Sequence, residues 1–545
     1  MKNLEIPLRN RSVPYRLFEM LPAILSYGAI ILLIVLSFIN PLYASIYLVF
    51  VAATLLVRAV AVGYHTLVGS RRVDTAKKED WSGYLRDLEE VEASSTEVQK
   101  KATYFAKKHK EHLAVMRQAE QTYPKPSEIF NAVIVAFYNE PYDVLFETIE
   151  TLRTTTYDSK KIMVILAYEE RGGPETEAIA KRLLTTFANT FYTFEIVKHP
   201  KGLADEISSG KGGNITYAGK YLEKYLISQK IATKNMVVTT LDSDNRPDPQ
   251  YFDYLTYEYI VHDHRKNLSF QPVSLFLNNI WDVPAPMRVI ATGNSFWNII
   301  SAMRPHTLRN FASHAQPMEA LVEMNFWSTR TIVEDGHQYW RSYFHFDGDY
   351  DVIPLFVPIY QDAVMSNTYK KTLKAQFVQL RRWAYGASDV PYVGVRVFSF
   401  KSKVNFFAAF SRFVRLVDGH VTLACVPLII TFGAWIPIFL NTNADRSVVA
   451  NQLPEIVGLI MRVATIGLFV TIFVTFKMLP KRPERYKRSR TVGMLLQWLL
   501  MPITAITYSA ASAYYSQTRL FLGNYMTTFD VTEKASVVVA KDKLS

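Results

Sequence analysis

One cysteine in 545 residues, Cys425, excludes an internal disulfide and any metal site built from several thiolates. Charge is also scarce: Asp, Glu, Lys and Arg make up 20% of the chain, against roughly 25% in ordinary soluble proteins. No internal repeat and no low-complexity tract interrupts the sequence, and the spacing GxxxxGK[ST] of a Walker A loop is absent. What replaces charge is apolar: 49% of the residues are hydrophobic and 13% aromatic, which excludes a disordered, collagen-like or disulfide-framework protein. At about 150 residues per domain, the length suggests three or four units.

The apolar residues are gathered into runs. Residues 21–38, 43–62, 417–440 and 456–479 each hold the roughly 20 mostly apolar residues that cross a bilayer core. A fifth run, 492–515, is interrupted by Pro502 and rich in Ser, Thr and Tyr. The first run is followed at once by the second and has no small-residue cleavage pattern, which argues against a cleaved signal peptide. Lys2, Arg9, Arg11 and Arg16 precede the first run, and the segment 477–490 carries seven basic residues against Glu484 alone. By the positive-inside rule both are expected in the cytoplasm, with the loop 441–455, whose one basic residue is Arg446, outside. The long middle region is then cytoplasmic. The net charge of +12 (61 basic, 49 acidic) is largely absorbed by this topology, and no nucleic acid is required to explain it. Five full crossings would leave the C-terminus outside. A tail working in the cytoplasm therefore requires the Pro502 segment to be re-entrant or interfacial.

Between the runs the pattern changes twice. Residues 75–125 are rich in Glu, Lys, Gln and Ala and read as a solvated helical connector. From there, short β-branched runs at 131–137, 162–168, 191–198 and 236–241 alternate with helical patterns at 142–154 and 175–188. That alternation predicts an α/β domain with a mostly parallel sheet covered on both faces. Ligands of such sheets bind at the carboxyl ends of the strands. The segment 401–416, with Phe, Val and Leu among Lys and Arg, fits a helix lying in the membrane interface.

Polar residues follow the strands where chemistry is expected. Asp242-Ser243-Asp244 ends the fourth strand, and two carboxylates so spaced suit Mg²⁺ or Mn²⁺ shared with substrate phosphates. Glu334-Asp335 follows a hydrophobic stretch and offers a general base. In Gln379-Leu380-Arg381-Arg382-Trp383, Arg382 suits a diphosphate and Trp383 a sugar face. Lys211 lies in a Gly-rich turn, SGKGGN, read as flexible and able to approach phosphates. Each alone also fits a solvated turn, a helix cap or a basic face beside anionic lipid. Their order on one chain is the informative feature.

That order (VIVAFYNEP, SGKGGN, LDSD, VED, QLRRW and a tail motif, FDVTEK at 529–534) resembles the membrane-integrated glycosyltransferase family 2 enzymes, the group of cellulose synthase and hyaluronan synthase. The resemblance covers about residues 128–390, the surrounding runs and the tail. It implies a cytoplasmic GT-A-type nucleotide-sugar-binding domain inserted between transmembrane helices. The divisions expected are an N-terminal segment with two spans (1–62), a connector (63–127), the GT-A domain (128–400), an interfacial helix (401–416), C-terminal spans (417–515) and a gating-loop-like tail (516–545). It further implies Asp242 and Lys211 near the nucleotide, Asp244 on the metal and Asp335 as catalytic base. Gln379, Arg382 and Trp383 would close the acceptor and diphosphate site, with Glu334 at the substrate and Thr532 and Lys534 reaching the nucleotide from the tail. Two positions depart from the family: Val333 stands where a Thr is usual, and Tyr168-Glu169-Glu170 stands where an Asp contacts uracil, leaving Glu169 or Glu170 for that role.

The activity implied is inverting, metal-dependent transfer from a nucleotide sugar, most simply a UDP-sugar, to a growing polysaccharide at the plasma membrane, in contact with membrane lipid. Single transfer to a lipid-linked acceptor is the competing enzyme reading. A transporter with a regulatory domain and an inactive scaffold are the non-enzymatic ones. So few spans also raise a homo-oligomer or an export partner as completing a channel.

Overall fold

The computed structural model of the chain describes residues 4–8, 10–97, 101–119, 122–204, 206–207, 210–441 and 448–528. The tail residues Thr532 and Lys534 lie outside the described residues.

An α/β domain is built on one eight-stranded sheet, in the order β3-β2-β1-β4-β7-β6-β8-β5. The strands are β1 (Phe130–Phe137), β2 (Ile162–Glu169), β3 (Thr193–His199), β4 (Met236–Asp242), β5 (Arg246–Pro247), β6 (Leu268–Leu275), β7 (Ala315–Pro317) and β8 (Asp351–Tyr360). The four strands expected from the sequence form the parallel half, β3-β2-β1-β4. All eight residues of β2 are buried, as befits a strand covered by helices on both faces. Chain order reverses between β1 and β4, and the register sets Ala136 opposite Asp242 and Phe137 opposite Tyr168. This is the topological switch point, where open α/β sheets bind ligands.

The other half adds two short opposing strands to a sheet in which the other six run the same way, so the sheet is mostly parallel as expected. The three-residue β7 runs antiparallel to both β4 and β6, β5 runs antiparallel to β8, and β6 and β8 are parallel. Sequence patterning misses these strands for physical reasons. β5 has two residues and β7 three, too few for a period. β6 and β8 carry Pro272, Pro354 and Pro358, which normally argue against a strand, and a register shift lies between Pro272 and Ser274.

The connector is not solvated. Its helices, Trp81–Glu89 and Tyr104–Gln118, bury Trp81, Leu85, Leu88, Phe105, Leu113 and Met116 in the main core beside the sheet. Trp81 stacks on Tyr254 with ring centroids 3.8 Å apart and donates its indole N–H to the Ala76 carbonyl at 2.8 Å.

Among the described residues four helices are long and apolar enough to cross a membrane: Val13–Ile39, Pro41–Ala76, Phe406–Leu440 and Ser489–Phe521. All but the last residue of the run 456–479 lie within a further 31-residue helix, Val448–Met478. It packs along Pro41–Ala76 so closely that a Cβ on Gly467 would sit 2.9 Å from the Ala59 carbonyl, the small-residue contact expected between helices in lipid. Ile31, Phe38, Phe50, Val57 and Phe439 point outward, an apolar exposure that marks a membrane or partner surface. Arg58 and Asp418, charges of two such helices, pair with each other at 3.0 Å. At about 1.5 Å per residue the 36 residues of Pro41–Ala76 reach roughly 54 Å, beyond a bilayer core of about 30 Å. Its C-terminal part accordingly packs on the α/β domain, with Gly69 against Ile299 and Val73 in the core. The stretch 401–416 is no separate helix: Asn405 caps a continuous helix, Phe406–Phe432, that runs straight into the third apolar run. The fifth run is broken as its sequence suggests, passing from Ser489–Leu496 through a 3₁₀ turn and a π turn (Ala505–Ala510) to Ala511–Phe521.

If the connector belongs to the core, Trp81→Ala lowers stability by about 3–5 kcal/mol, whereas Trp81→Phe retains most of it. Thermal unfolding of the purified chain measures this, and an unchanged midpoint for Trp81→Ala would return the connector to the solvent.

Candidate functional site

Three element ends converge at the switch point. The first is the end of β4. Asp242 is its last residue, and the turn that follows closes with the Asn245 N–H donating to the Asp242 carbonyl at 3.1 Å. Glu140, after β1, fixes this turn: it accepts from the backbone N–H groups of Tyr138 (2.8 Å) and Asn139 (3.2 Å) and from the Ser243 hydroxyl (3.1 Å). Thr148 adds a bond to the Ser243 carbonyl at 2.7 Å. Asp244 is thereby held buried, while the Asp242 side chain stays about one-third exposed.

The second end is the start of the helix Lys211–Ser228. The Gly-rich segment is not a flexible turn around Lys211: Gly210 is the N-cap, and Lys211, Gly212 and Gly213 form the buried first turn. The glycines serve packing. A Cβ on Gly212 would meet the Ser328 carbonyl oxygen at 2.3 Å, and one on Gly213 the Glu206 carboxylate at 2.7 Å. Asn214 ties the turn to the sheet, donating to the Ala167 carbonyl in β2 at 3.0 Å.

The third end is the start of the helix Glu334–His345. Acids in a first turn face the positive end of the helix dipole. Val333 is the N-cap and supplies no side-chain bond, but its N–H donates to Thr331 Oγ1 at 3.3 Å. A hydroxyl two residues upstream thus serves the turn.

The three ends meet at Lys211. Its Nζ lies 2.8 Å from Asp242 Oδ1 and 3.4 Å from Asp335 Oδ2. Burial alone would push the ammonium down, but Asp242, Asp335 and Glu334 outweigh it and hold the pKa above the ordinary range. Burial, reinforced by the neighbouring Asp335 charge, pushes the Glu334 carboxyl up to about 8, so at neutral pH its protonated form predominates. Glu334 Oε2 and Asp335 Oδ1 are buried without a hydrogen-bond partner. His314, fully buried at the mouth of β7, lies 3.7 Å from Asp335. Its Nδ1–H donates to the Phe311 carbonyl at 2.9 Å and its Nε2 accepts from the Trp327 indole at 3.1 Å. Burial holds its pKa down, so the ring is neutral beside the carboxylate.

One cavity of about 630 Å³ passes the lysine and the acids, with His314 behind its wall. Lys211, Asp242, Asp244, Glu334 and Asp335 line it, as do Gln379, Arg382 and Trp383 from the helix Tyr369–Ala384. Of the two acids after β2, Glu169 is in the cavity wall and Glu170 is outside it. Glu170 accepts from the Lys201 backbone N–H at 3.0 Å. Glu169 pairs with Arg171, whose guanidinium lies 4.1 Å over the Tyr138 ring. The cavity continues to Leu416, Gly419, His420 and Leu423 of the third apolar helix and to Ser509 and Ser512 of the fifth run. Glu140 and Asn214, within the quoted motifs but not singled out there, and Arg309, His314 and Asp389, which no short motif announces, join it or brace it; Asp389 pairs with buried His337 at 2.7 Å.

Among the described residues no three His, Cys, Asp or Glu side chains form a metal site by themselves. Asp242 and Asp244 at one turn suit instead a divalent ion whose remaining ligands are diphosphate oxygens and water, the habit of Mg²⁺ and Mn²⁺.

No protein-family profile and no curated protein sequence matches the chain. Among solved structures it is distantly similar to the mannosyltransferase PcManGT of Pyrobaculum calidifontis with GDP-Man and Mn²⁺, at 12% identity over 85% of this chain and 98% of that one (TM-score 0.39). S. aureus TarS with UDP-GlcNAc matches at 11% over 73% and 93% (TM-score 0.36). GalNAc-T7 with UDP, GalNAc and Mn²⁺ matches at 10% over 54% and 58% (TM-score 0.31).

The close approach at Gly212 has a measurable consequence. Gly212→Ala forces the Ser328 carbonyl or the first helical turn to move and costs about 1–3 kcal/mol. Gly293→Ala, at an exposed helical position with nothing within 4 Å of the new Cβ, gains up to about 1 kcal/mol. Equal thermal midpoints for the two variants would refute the packing role of Gly212.

Proposed function

We propose that the chain is a membrane-bound, inverting, metal-dependent glycosyltransferase that moves a sugar from a nucleotide-diphosphate donor onto a growing polysaccharide. One observation carries the reading: a single cavity joins the acids at the strand ends to Asp335, then to Trp383, and then to the apolar helices. The end at Glu169, Asp242 and Asp244 takes the nucleotide. Asp242 and Asp244 would hold Mg²⁺ or Mn²⁺ at the diphosphate, where the ion supplies positive charge to the leaving group. Lys211 and Arg382 add fixed positive charge from the protein.

Asp335 accepts the proton of the acceptor hydroxyl through its unpartnered oxygen. The hydroxyl oxygen bonds to the anomeric carbon as the bond from that carbon to the diphosphate breaks, the electron pair leaving with the diphosphate. Attack and departure on opposite faces invert the configuration. Both ring nitrogens of His314 are engaged, by the Phe311 carbonyl and the Trp327 indole, which leaves Asp335 as the proton acceptor, and protonated Glu334 is a donor for a sugar hydroxyl. Trp383, half exposed beside Phe276, offers a face for the acceptor sugar. The continuation of the cavity between apolar helices suits a chain leaving toward the membrane, which favours polymer synthesis over a single transfer to a lipid-linked acceptor.

Contacts on one side support the topology read from the sequence. The basic loop is fastened to the α/β domain, Arg485 to Asp282 at 2.6 Å and the Trp281 indole to the Pro480 carbonyl at 3.0 Å. The N-terminal segment is fastened there too, Glu5 to Arg341 at 2.9 Å. Basic loop, N-terminus and catalytic domain therefore share a face, which the positive-inside rule makes cytoplasmic. Both ends of the fifth run also touch this domain: Gln497 accepts from Arg288 at 2.6 Å, and Ser516 donates to the Arg381 carbonyl at 2.6 Å. The run lies along the domain and does not carry the chain across. Tyr525 and Met526 pack beside Ile332 and Val333, which brings the tail to the residues preceding Glu334 and Asp335.

Two measurements follow. With UDP- and GDP-sugars and Mg²⁺ or Mn²⁺, Asp335→Asn retains nucleotide binding and loses about 10²–10⁴-fold in transfer rate; wild-type turnover in this variant would remove Asp335 as base and reopen the scaffold and transporter readings. In a Cys425→Ala background, Ser545→Cys reacts with an impermeant thiol reagent only after the cells are opened. Labelling from outside intact cells would mean that the fifth run crosses.

A further inference from the structure

A second cavity, of about 490 Å³, lies where the α/β domain meets the basic loop and the start of the fifth run. Two arginines face it. Arg288 is 3% exposed, with Nε bonded to Gln497 and Nη1 to the Val283 carbonyl. Arg490 donates Nη2 to the Trp281 carbonyl at 3.1 Å, and its Nε is buried without a partner. The one carboxylate in the wall, Asp282, is taken by Arg485 and by the Tyr486 hydroxyl, each at 2.6 Å. Ser366 adds a buried hydroxyl, also without a partner. The wall thus holds two guanidinium charges and an unpartnered hydroxyl against no free acid. A buried cation facing another cation is unfavourable until an anion joins them, and burial and Arg490 together push the Arg288 pKa down to about 10. The donor set of paired guanidinium forks and a hydroxyl matches a phosphate.

The surroundings say what carries the phosphate. Leu500 closes one side of the cavity. The run leading to it turns Leu495, Leu496 and Leu499 outward, Leu499 at 77% exposure, while Met494, Gln497 and Trp498 face the domain. An apolar face outward, a domain-bound face inward and a basic loop just before it describe a helix lying in the membrane interface. Basic pockets at that depth bind anionic headgroups. We propose that the Arg288–Arg490 cavity binds the headgroup phosphate of an anionic phospholipid, whose acyl chains lie along the exposed leucines, and that this lipid fixes the fifth run against the α/β domain. The site is separate from the carboxylate cavity and does not rest on the transferase reading.

The test uses the purified full chain in a neutral detergent and follows thermal unfolding by tryptophan fluorescence, since Trp281 and Trp498 lie near the cavity. Dioctanoyl phosphatidylglycerol raises the midpoint by a few degrees; dioctanoyl phosphatidylcholine and inorganic phosphate at equal concentration do not. Arg490→Gln abolishes most of the shift or requires at least tenfold more lipid, whereas Arg488→Gln, which removes the same charge from an exposed residue outside the cavity, keeps it. Arg490→Gln is preferred to Arg288→Gln because Arg288 is buried and its loss risks the fold. Equal shifts with phosphatidylcholine, a full shift with inorganic phosphate alone, or equal behaviour of the Arg488 and Arg490 variants would each overturn the lipid assignment.

Discussion

The site depends on one ammonium group. Lys211 stands between Asp242 at the end of β4 and Asp335 at the start of a helix, with Glu334 beside them. Three carboxyls this close in a buried wall would repel or protonate without a cation among them. The ammonium neutralises part of that charge, while burial and the Asp335 charge push the Glu334 carboxyl up. The position of Lys211 rests in turn on glycine: only a residue without a Cβ at 212 lets the helix start come so close to the Ser328 carbonyl. The end of β4, the helix start at Asp335 and the loop 328–334 are therefore locked to one another through a single helical turn.

The parts that were legible in the sequence are those written as a period or as an ordered motif. β1 to β4 are regular β-branched runs, and the apolar runs have bilayer length. The motif acids and the QLRRW residues fall on one cavity, as their order along the chain suggests. What was illegible has physical reasons. The connector looks solvated because Glu and Lys dominate its composition, yet Trp81, Leu85 and Leu88 recur at helical spacing and are buried together. The far half of the sheet is hidden by prolines and by strands too short to show a period. Glu140 and His314 act through backbone groups and a neighbouring indole, contacts that no spacing encodes. Glycines around Lys211 suggest a mobile loop, whereas here they allow dense packing at a helix start.

The departures from the resembled family find local compensation of different kinds. Where a Thr is usual before the acids, Val333 leaves the N-cap without a side-chain bond, and Thr331 bonds the same turn from two residues upstream. Where an Asp is usual after β2, Glu169 reaches the cavity wall from the last position of the strand, already paired with Arg171 over the Tyr138 ring. The first change preserves the geometry of the turn. The second alters the donor and acceptor pattern offered to a ligand, because the carboxylate arrives with a guanidinium attached. The two departures therefore differ in consequence: position 333 bears on how the turn before Asp335 is held, and position 169 on the charge pattern of the cavity wall.

Membrane and soluble parts build the cavity together. The helix that carries Gln379, Arg382 and Trp383 ends with the Arg381 carbonyl accepting from Ser516, and the Arg381 guanidinium lies 5.3 Å over the Tyr515 ring. Gln517 holds the His420 carbonyl at 2.9 Å, so the fifth run braces the third apolar helix and the QLRRW helix at once. Leu416, Gly419, His420, Leu423, Ser509 and Ser512 complete the wall. Cutting the chain at 400 would take Val474, Met494 and Trp498 out of the main core. It would remove both the far wall of the cavity and the brace at Arg381. Orientation of Trp383 and Arg382 thus depends on chain beyond residue 400, and the fifth run, broken at Pro502 and wound through a π turn, touches the α/β domain near both its ends.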